Sequence, residues 1–105
     1  MTQRQRQAQE NNVAINAVAD FNKSDVEIDL SSVKRLDYCT AWTADAGKYE
    51  LLKSYNTIVA VYDREKNELY DVLRYVYGYT ATSAKHIAKF RNMHRSAQVF
   101  TYRAI

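Results

Sequence analysis

The sequence of 105 residues contains no proline, two glycines and one cysteine. Because Gly47 and Gly78 are its only glycines, it lacks the composition typical of a flexible linker, and we expect residues 1–105 to form a single domain. A lone cysteine, Cys39, cannot form an internal disulfide, and the two histidines lie far from it in sequence. We therefore expect a reducing compartment, and we predict no metal site and no cofactor.

Long apolar runs are also missing. Arg4 and Arg6 are followed by polar residues 7–12, where a secretory signal needs an apolar segment. The mean hydropathy of −0.53 is that of an ordinary water-soluble chain. These features predict a cytoplasmic protein that has no membrane partner.

Acidic residues are absent from the C-terminal third. All 12 acids lie in residues 1–71, whereas residues 72–105 carry six basic residues and no acid. The net charge of +3 is therefore concentrated at one end of the chain. This asymmetry favours an anionic partner for residues 72–105.

Helical spacing appears twice. Apolar residues recur at this spacing in residues 14–21, while residues 1–12 have no apolar stripe, so we expect an N-terminal helix whose beginning is frayed or disordered. Hydroxyl residues in 80–83 precede a second amphipathic segment, and we expect them to cap a second helix.

Alternating, β-branched and aromatic residues predict strands between these helices and at the C-terminus. The predicted strands are 26–30, 36–43, 48–54, 57–62, 68–77 and 99–102, with a turn at 44–47. Together the elements predict an α+β fold in which a curved antiparallel sheet of about five strands carries both helices on one face.

The start of the second helix has the features of a phosphate site. This position combines free backbone N–H groups with the hydroxyls of Thr82 and Ser83 and with the ammonium groups of Lys85 and Lys89. The simpler alternative is that the hydroxyls cap the helix and the lysines are solvated.

His86 is the side chain best suited to acid–base chemistry near neutral pH. Catalysis would need a partner, but no carboxylate follows Asp71 and no spacing points to an earlier one. A role in bracing the helix against the sheet, through a hydrogen bond to a tyrosine or a backbone carbonyl, is the preferred interpretation.

Three tyrosines, Tyr75, Tyr77 and Tyr79, fall on one face of the predicted strand 68–77 and its extension. Exposed rings beside a basic helix can stack the bases of single-stranded nucleic acid, whereas buried rings would roof the core. The candidate contact surface for a macromolecule or a phosphate comprises Arg74, Tyr77, Tyr79, Thr82, Ser83, Lys85, His86, Lys89, Arg91 and Arg95.

Two segments carry a family resemblance. Residues 54–60, Ser-Tyr-Asn-Thr-Ile-Val-Ala, and residues 79–90, Tyr-Thr-Ala-Thr-Ser-Ala-Lys-His-Ile-Ala-Lys-Phe, resemble a pattern in small, largely uncharacterised proteins of bacteriophages and other mobile elements. Thr80 and Ser83 depart from that pattern conservatively. The resemblance implies an accessory protein that acts in the cytoplasm of a bacterial host.

These observations give a leading function and two alternatives. The leading hypothesis is a non-enzymatic protein, a monomer or homodimer, that binds a host protein or nucleoprotein and inhibits a bacterial defence complex in the manner of an anti-CRISPR protein. The second is a regulatory protein that binds DNA or RNA directly. A small hydrolase that uses His86 is the least favoured.

Overall fold

The computed structural model of the protein describes residues 2–36, 40–76 and 81–104. In these ranges the chain forms three helices and six strands. In chain order they are α1 (Gln3–Lys23), β1 (Asp29–Arg35), β2 (Ala41–Ala46), β3 (Tyr49–Ser54), β4 (Thr57–Asp63), β5 (Glu68–Asp71), α2 (Leu73–Val76), α3 (Ala81–Met93) and β6 (Gln98–Thr101).

All six strands form one open sheet in the order β1-β2-β3-β4-β5-β6. Neighbours from β1 to β5 are antiparallel, and β6 runs parallel to β5. The parallel pair is possible because α2 and α3 carry the chain back across the sheet, as a crossover connection must. The predicted α+β fold, with an N-terminal helix and a second helix near the C-terminus, is confirmed.

The prediction that both helices share one face of the sheet is wrong. Leu51 packs in a cluster with Ala14 and Phe21 of α1, whereas its neighbour Leu52 packs with Ile87 and Phe90 of α3. Since successive strand residues point to opposite faces, α1 and α3 lie on opposite sides of the sheet. The consecutive buried residues of the central strands are the sequence signal of this two-sided burial.

Residues 3–12, expected to be frayed or disordered, are helical. A capping box opens α1: the Thr2 hydroxyl accepts from the Gln5 backbone N–H, and the Gln5 side chain accepts from the Thr2 N–H. Further along, side-chain amides replace the missing apolar stripe. The Gln7 amide donates to the Thr101 carbonyl, and buried Asn11 both donates to the Arg103 carbonyl and accepts from its N–H.

Several strand boundaries differ from the prediction. β1 begins at Asp29 and contains a register shift, β2 extends to Ala46, and the β2–β3 turn consists of Gly47 and Lys48. Gly47 adopts φ +59°, which a glycine accepts without strain. β5 ends at Asp71, because its carboxylate accepts from the Leu73 N–H and begins a short helix in place of the predicted strand.

Candidate functional site

α3 presents its apolar side to the sheet and a small-residue flank to β6. Ile87 and Phe90 are buried in the core, while Ala84 and Ala88 lie on the flank nearer to β6. Small side chains leave space between this flank and the strand. Residues from three separate elements enter that space.

Four exposed arginines surround it, and we call Arg74, Arg91, Arg95 and Arg103 the arginine surface. Arg74 from α2, Arg91 from α3 and Arg103 from the segment after β6 line a cleft of about 180 Å³. A second depression of about 460 Å³ shares Arg91 with the cleft and is also lined by Arg95. The two depressions form one continuous basic surface along α3.

Asp71 lines the cleft from within and is only 8% exposed. Burial raises the pKa of its carboxyl group, and the positive charges of Arg91, Arg74 and Arg103 act in the opposite direction. Among the described residues that line the cleft, the Asp71 carboxylate is the one acidic group beside three guanidinium groups. Among the described residues, no carboxylate forms a salt bridge with Arg91 or Arg103.

The two predicted lysines lie apart from this cleft. Lys85 is exposed and Lys89 is half-buried, and neither lines the two depressions. Thr82 is exposed in the first turn of α3, whereas Ser83 is only 1% exposed. Ser83 is therefore withdrawn from the predicted contact surface, because a buried hydroxyl cannot reach a partner.

His86 is also removed from the predicted contact surface, because only 2% of it is exposed. Its Nδ1 lies 2.9 Å from the Ser54 Oγ, which in turn lies 2.8 Å from the Ser83 Oγ. This network ties α3 to β3, so His86 braces the helix, and among the described residues its hydrogen-bond partner is a serine. Burial, and then the charge of Lys89, lower the pKa of His86 and keep it neutral.

The Ser54–His86 pair has the distance of a nucleophile and its base, but a substrate cannot reach it. Ser54 is fully buried, and among the described residues no carboxylate hydrogen-bonds to His86. An orienting carboxylate and an open cleft are both part of a working hydrolytic site. Nowhere in the described ranges do three potential metal ligands come together.

The predicted tyrosine face is changed by the shorter β5. Tyr75 lies on α2, is 57% exposed and packs edge-on against Tyr102. Tyr77 and Tyr79 lie outside the described residues, as do Thr80 and Cys39. Tyr70 is 3% exposed and packs in the core, as expected of a ring that roofs it.

The structure adds two residues to the candidate site. Arg103 ends the basic stretch 74–103, which the sequence predicts as the contact surface, but it is not among the residues named individually for that surface. Asp71 stands out in the sequence only as the last acid of the chain. The sequence signal for both residues was the excess of basic residues after Asp71, the last acid of the chain. In the fold, Asp71 lies beside three of those later arginines.

Comparison with known proteins places the chain in a family whose function is unknown. The family model described as "Family of unknown function (DUF8033)" matches residues 4–105, so the chain belongs to this family. No curated protein and no solved structure matches the chain. Within the described ranges, no helix has the length and apolar character needed to cross a membrane.

Proposed function

We propose that this member of the DUF8033 family is a non-enzymatic binding protein whose arginine surface holds an anionic macromolecule. The observation that carries the proposal is the convergence of Arg74, Arg91 and Arg103, from three separate elements, on one cleft.

The chemistry of arginine supports a phosphate-bearing or carboxylate-bearing partner. Guanidinium groups match phosphate and carboxylate oxygens with paired hydrogen bonds, and they lose less on leaving water than ammonium groups do. The adjoining depressions extend this charge along α3 beyond the reach of one small ion. An extended anionic chain or surface fits them better than a single anion.

The setting of a phage or mobile element gives the proposal its most concrete form. The resemblance at residues 54–60 and 79–90 supports an accessory protein in the cytoplasm of a bacterial host. Such a protein would bind a defence nucleoprotein and block it, with its arginine surface either in the nucleic-acid channel or on the nucleic acid itself. It would act stoichiometrically, without turnover.

Direct binding of free nucleic acid is the second candidate function. The same convergence of guanidinium groups favours it, because phosphates dominate the affinity of proteins for nucleic acids. A hydrolase that uses His86 stays the least favoured, since the imidazole and its serine neighbours are buried.

Affinity capture from a bacterial host that carries a CRISPR effector separates these candidates. Immobilised wild-type protein would be compared with an Arg91→Glu, Arg103→Glu double variant and with Lys34→Glu, a charge reversal at an exposed residue of β1, the strand farthest from β6 in the sheet. The leading proposal predicts capture of the effector at one-to-one stoichiometry and inhibition of its cleavage, both lost only in the arginine variant.

Nuclease treatment of the lysate supplies the second comparison. Capture that survives nuclease supports a protein partner, whereas capture that is abolished supports direct binding of nucleic acid. Equal capture and inhibition by wild type and the arginine variant would contradict the proposed role of the arginine surface.

A further inference from the structure

The sheet face that carries α1 is left open over its first strands. By strand alternation and register, Trp42 and Ala44 lie on the same face as Leu51, which packs with α1. α1 contacts β5 and β6, at the opposite end of the sheet. A groove of about 310 Å³ remains over β1–β3, walled by Leu30 and other apolar side chains.

This groove combines aromatic surface with positive charge. Lys53, the cross-strand partner of Trp42, is the one charged side chain among the described residues that line it. The guanidinium carbon of Arg35 lies 5.8 Å from the centroid of the Trp42 ring. Asp45 and Glu50, the nearest acids on β2 and β3, alternate to the other face and bond to Arg64. The groove is therefore complementary to an anionic ligand that has an apolar or aromatic part.

Tyr55 stands at the mouth of the groove in an unusual backbone conformation. It is the first residue of the two-residue β3–β4 turn and has φ +57°, while Asn56 does not share the positive φ. Turns of this pattern prefer glycine at the first position, and a bulky residue there is strained. Tyr55 is 49% exposed and lines the groove, and its ring lies 6.4 Å from the ring of His86 on α3, because the turn is at the end of the sheet where the two faces meet. A strained backbone that holds an aromatic ring in solvent points to a functional role.

We propose that this groove binds single-stranded nucleic acid. Unpaired bases stack on Tyr55 and on the Arg35–Trp42 pair, and Lys53 and Arg35 neutralise the phosphates between them. Stacking on exposed aromatic rings beside cations is the general means by which proteins hold single strands. An acidic apolar peptide would satisfy the charge of the groove, but it would not require a flat ring at a strained turn position.

The groove shares no lining residue with the arginine surface, which lies along α3 on the other face of the sheet. Trp42 is the only tryptophan in the chain, so its fluorescence reports on the groove alone. We would titrate the full-length protein with single-stranded DNA and RNA oligonucleotides and with a duplex of the same sequence, at about 50 mM salt.

Saturable quenching by the single strands, and not by the duplex, is the expected result. Tyr55→Gly should weaken it at least about fivefold, while Tyr55→Phe should retain it. Because glycine relieves the positive φ, Tyr55→Gly should melt no lower than wild type, which excludes unfolding as the cause. The Arg91→Glu, Arg103→Glu variant should keep the quenching, and this separates the present inference from the proposed function.

Three outcomes would overturn the inference. One is the absence of saturable quenching by any single strand, and another is equal quenching by the duplex. The third is an unchanged affinity in Tyr55→Gly. Quenching by an acidic leucine-rich peptide, without quenching by single strands, would assign the groove to a peptide instead.

Discussion

Removal of the Ser54 hydroxyl tests whether His86 has a structural role. Ser54→Ala deletes the oxygen that lies 2.9 Å from the Nδ1 of His86. His86 is only 2% exposed, so water cannot replace that oxygen. A buried polar group that loses its hydrogen-bond partner costs about 1–3 kcal/mol, and we expect the free energy of unfolding to fall by that amount. For a domain of this size, each kcal/mol corresponds to a decrease of about 4–8 °C in Tm.

Urea denaturation and thermal melting, both followed by circular dichroism, measure this change. Ser96→Ala is the matched control, because Ser96 is exposed and should change stability by less than about 0.5 kcal/mol. Binding by the arginine surface should be the same in Ser54→Ala as in wild type. If Ser54→Ala were as stable as the control variant, the proposed brace between α3 and β3 would be wrong.

Further predictions concern pH, the β2–β3 turn and the helix cap. Burial and the charge of Lys89 lower the pKa of His86 in the folded protein. As the pH falls through about 6.5, His86 is therefore protonated in the unfolded chain before it is protonated in the folded protein. The free energy of unfolding should therefore decrease below neutral pH, and it should decrease less in His86→Gln. Urea titrations at neutral pH and below about pH 6.5 measure both changes. Gly47→Ala places a Cβ 2.9 Å from Val26 Cγ1, at a residue with φ +59°. It should lower the free energy of unfolding by about 1–2 kcal/mol, as measured by thermal melting. Adding Val26→Ala should restore only part of this stability, because it removes the clash but not the backbone strain. Thr2→Ala removes the capping box of α1 and should cost about 0.5–2 kcal/mol, with a loss of helical circular dichroism.

Sequence patterns predicted the elements whose signals are local. β-branched and aromatic residues gave β3 and β4 nearly to their ends, and the hydroxyl-rich start and apolar spacing gave α3. The end of β5 was missed because Asp71 redirects its own backbone through a side-chain hydrogen bond. A strand pattern of alternating residues carries no information about that competing bond.

Features that depend on distant residues were beyond local patterns. Asn11 anchors α1 by hydrogen bonds to Arg103, 92 positions away, so the polar start of α1 looked unsupported in the sequence. The same distance hid the meeting of Arg103 with Arg74 and Arg91. The charge excess after Asp71 predicted an anionic partner, but the fold decides which cations share a surface and leaves Lys85 outside it.

The salt dependence of duplex DNA binding tests the role of the arginine surface most directly. Fluorescence anisotropy would be measured between about 50 and 200 mM salt for wild type, Arg91→Glu and the charge-matched Lys34→Glu. Contact between the arginine surface and nucleic acid predicts binding that weakens with salt. Arg91→Glu should weaken this binding further and reduce the slope by about one unit, while Lys34→Glu stays close to wild type. Equal effects of the two reversals, or no binding by wild type at the lowest salt, would contradict the assignment of this surface to nucleic acid.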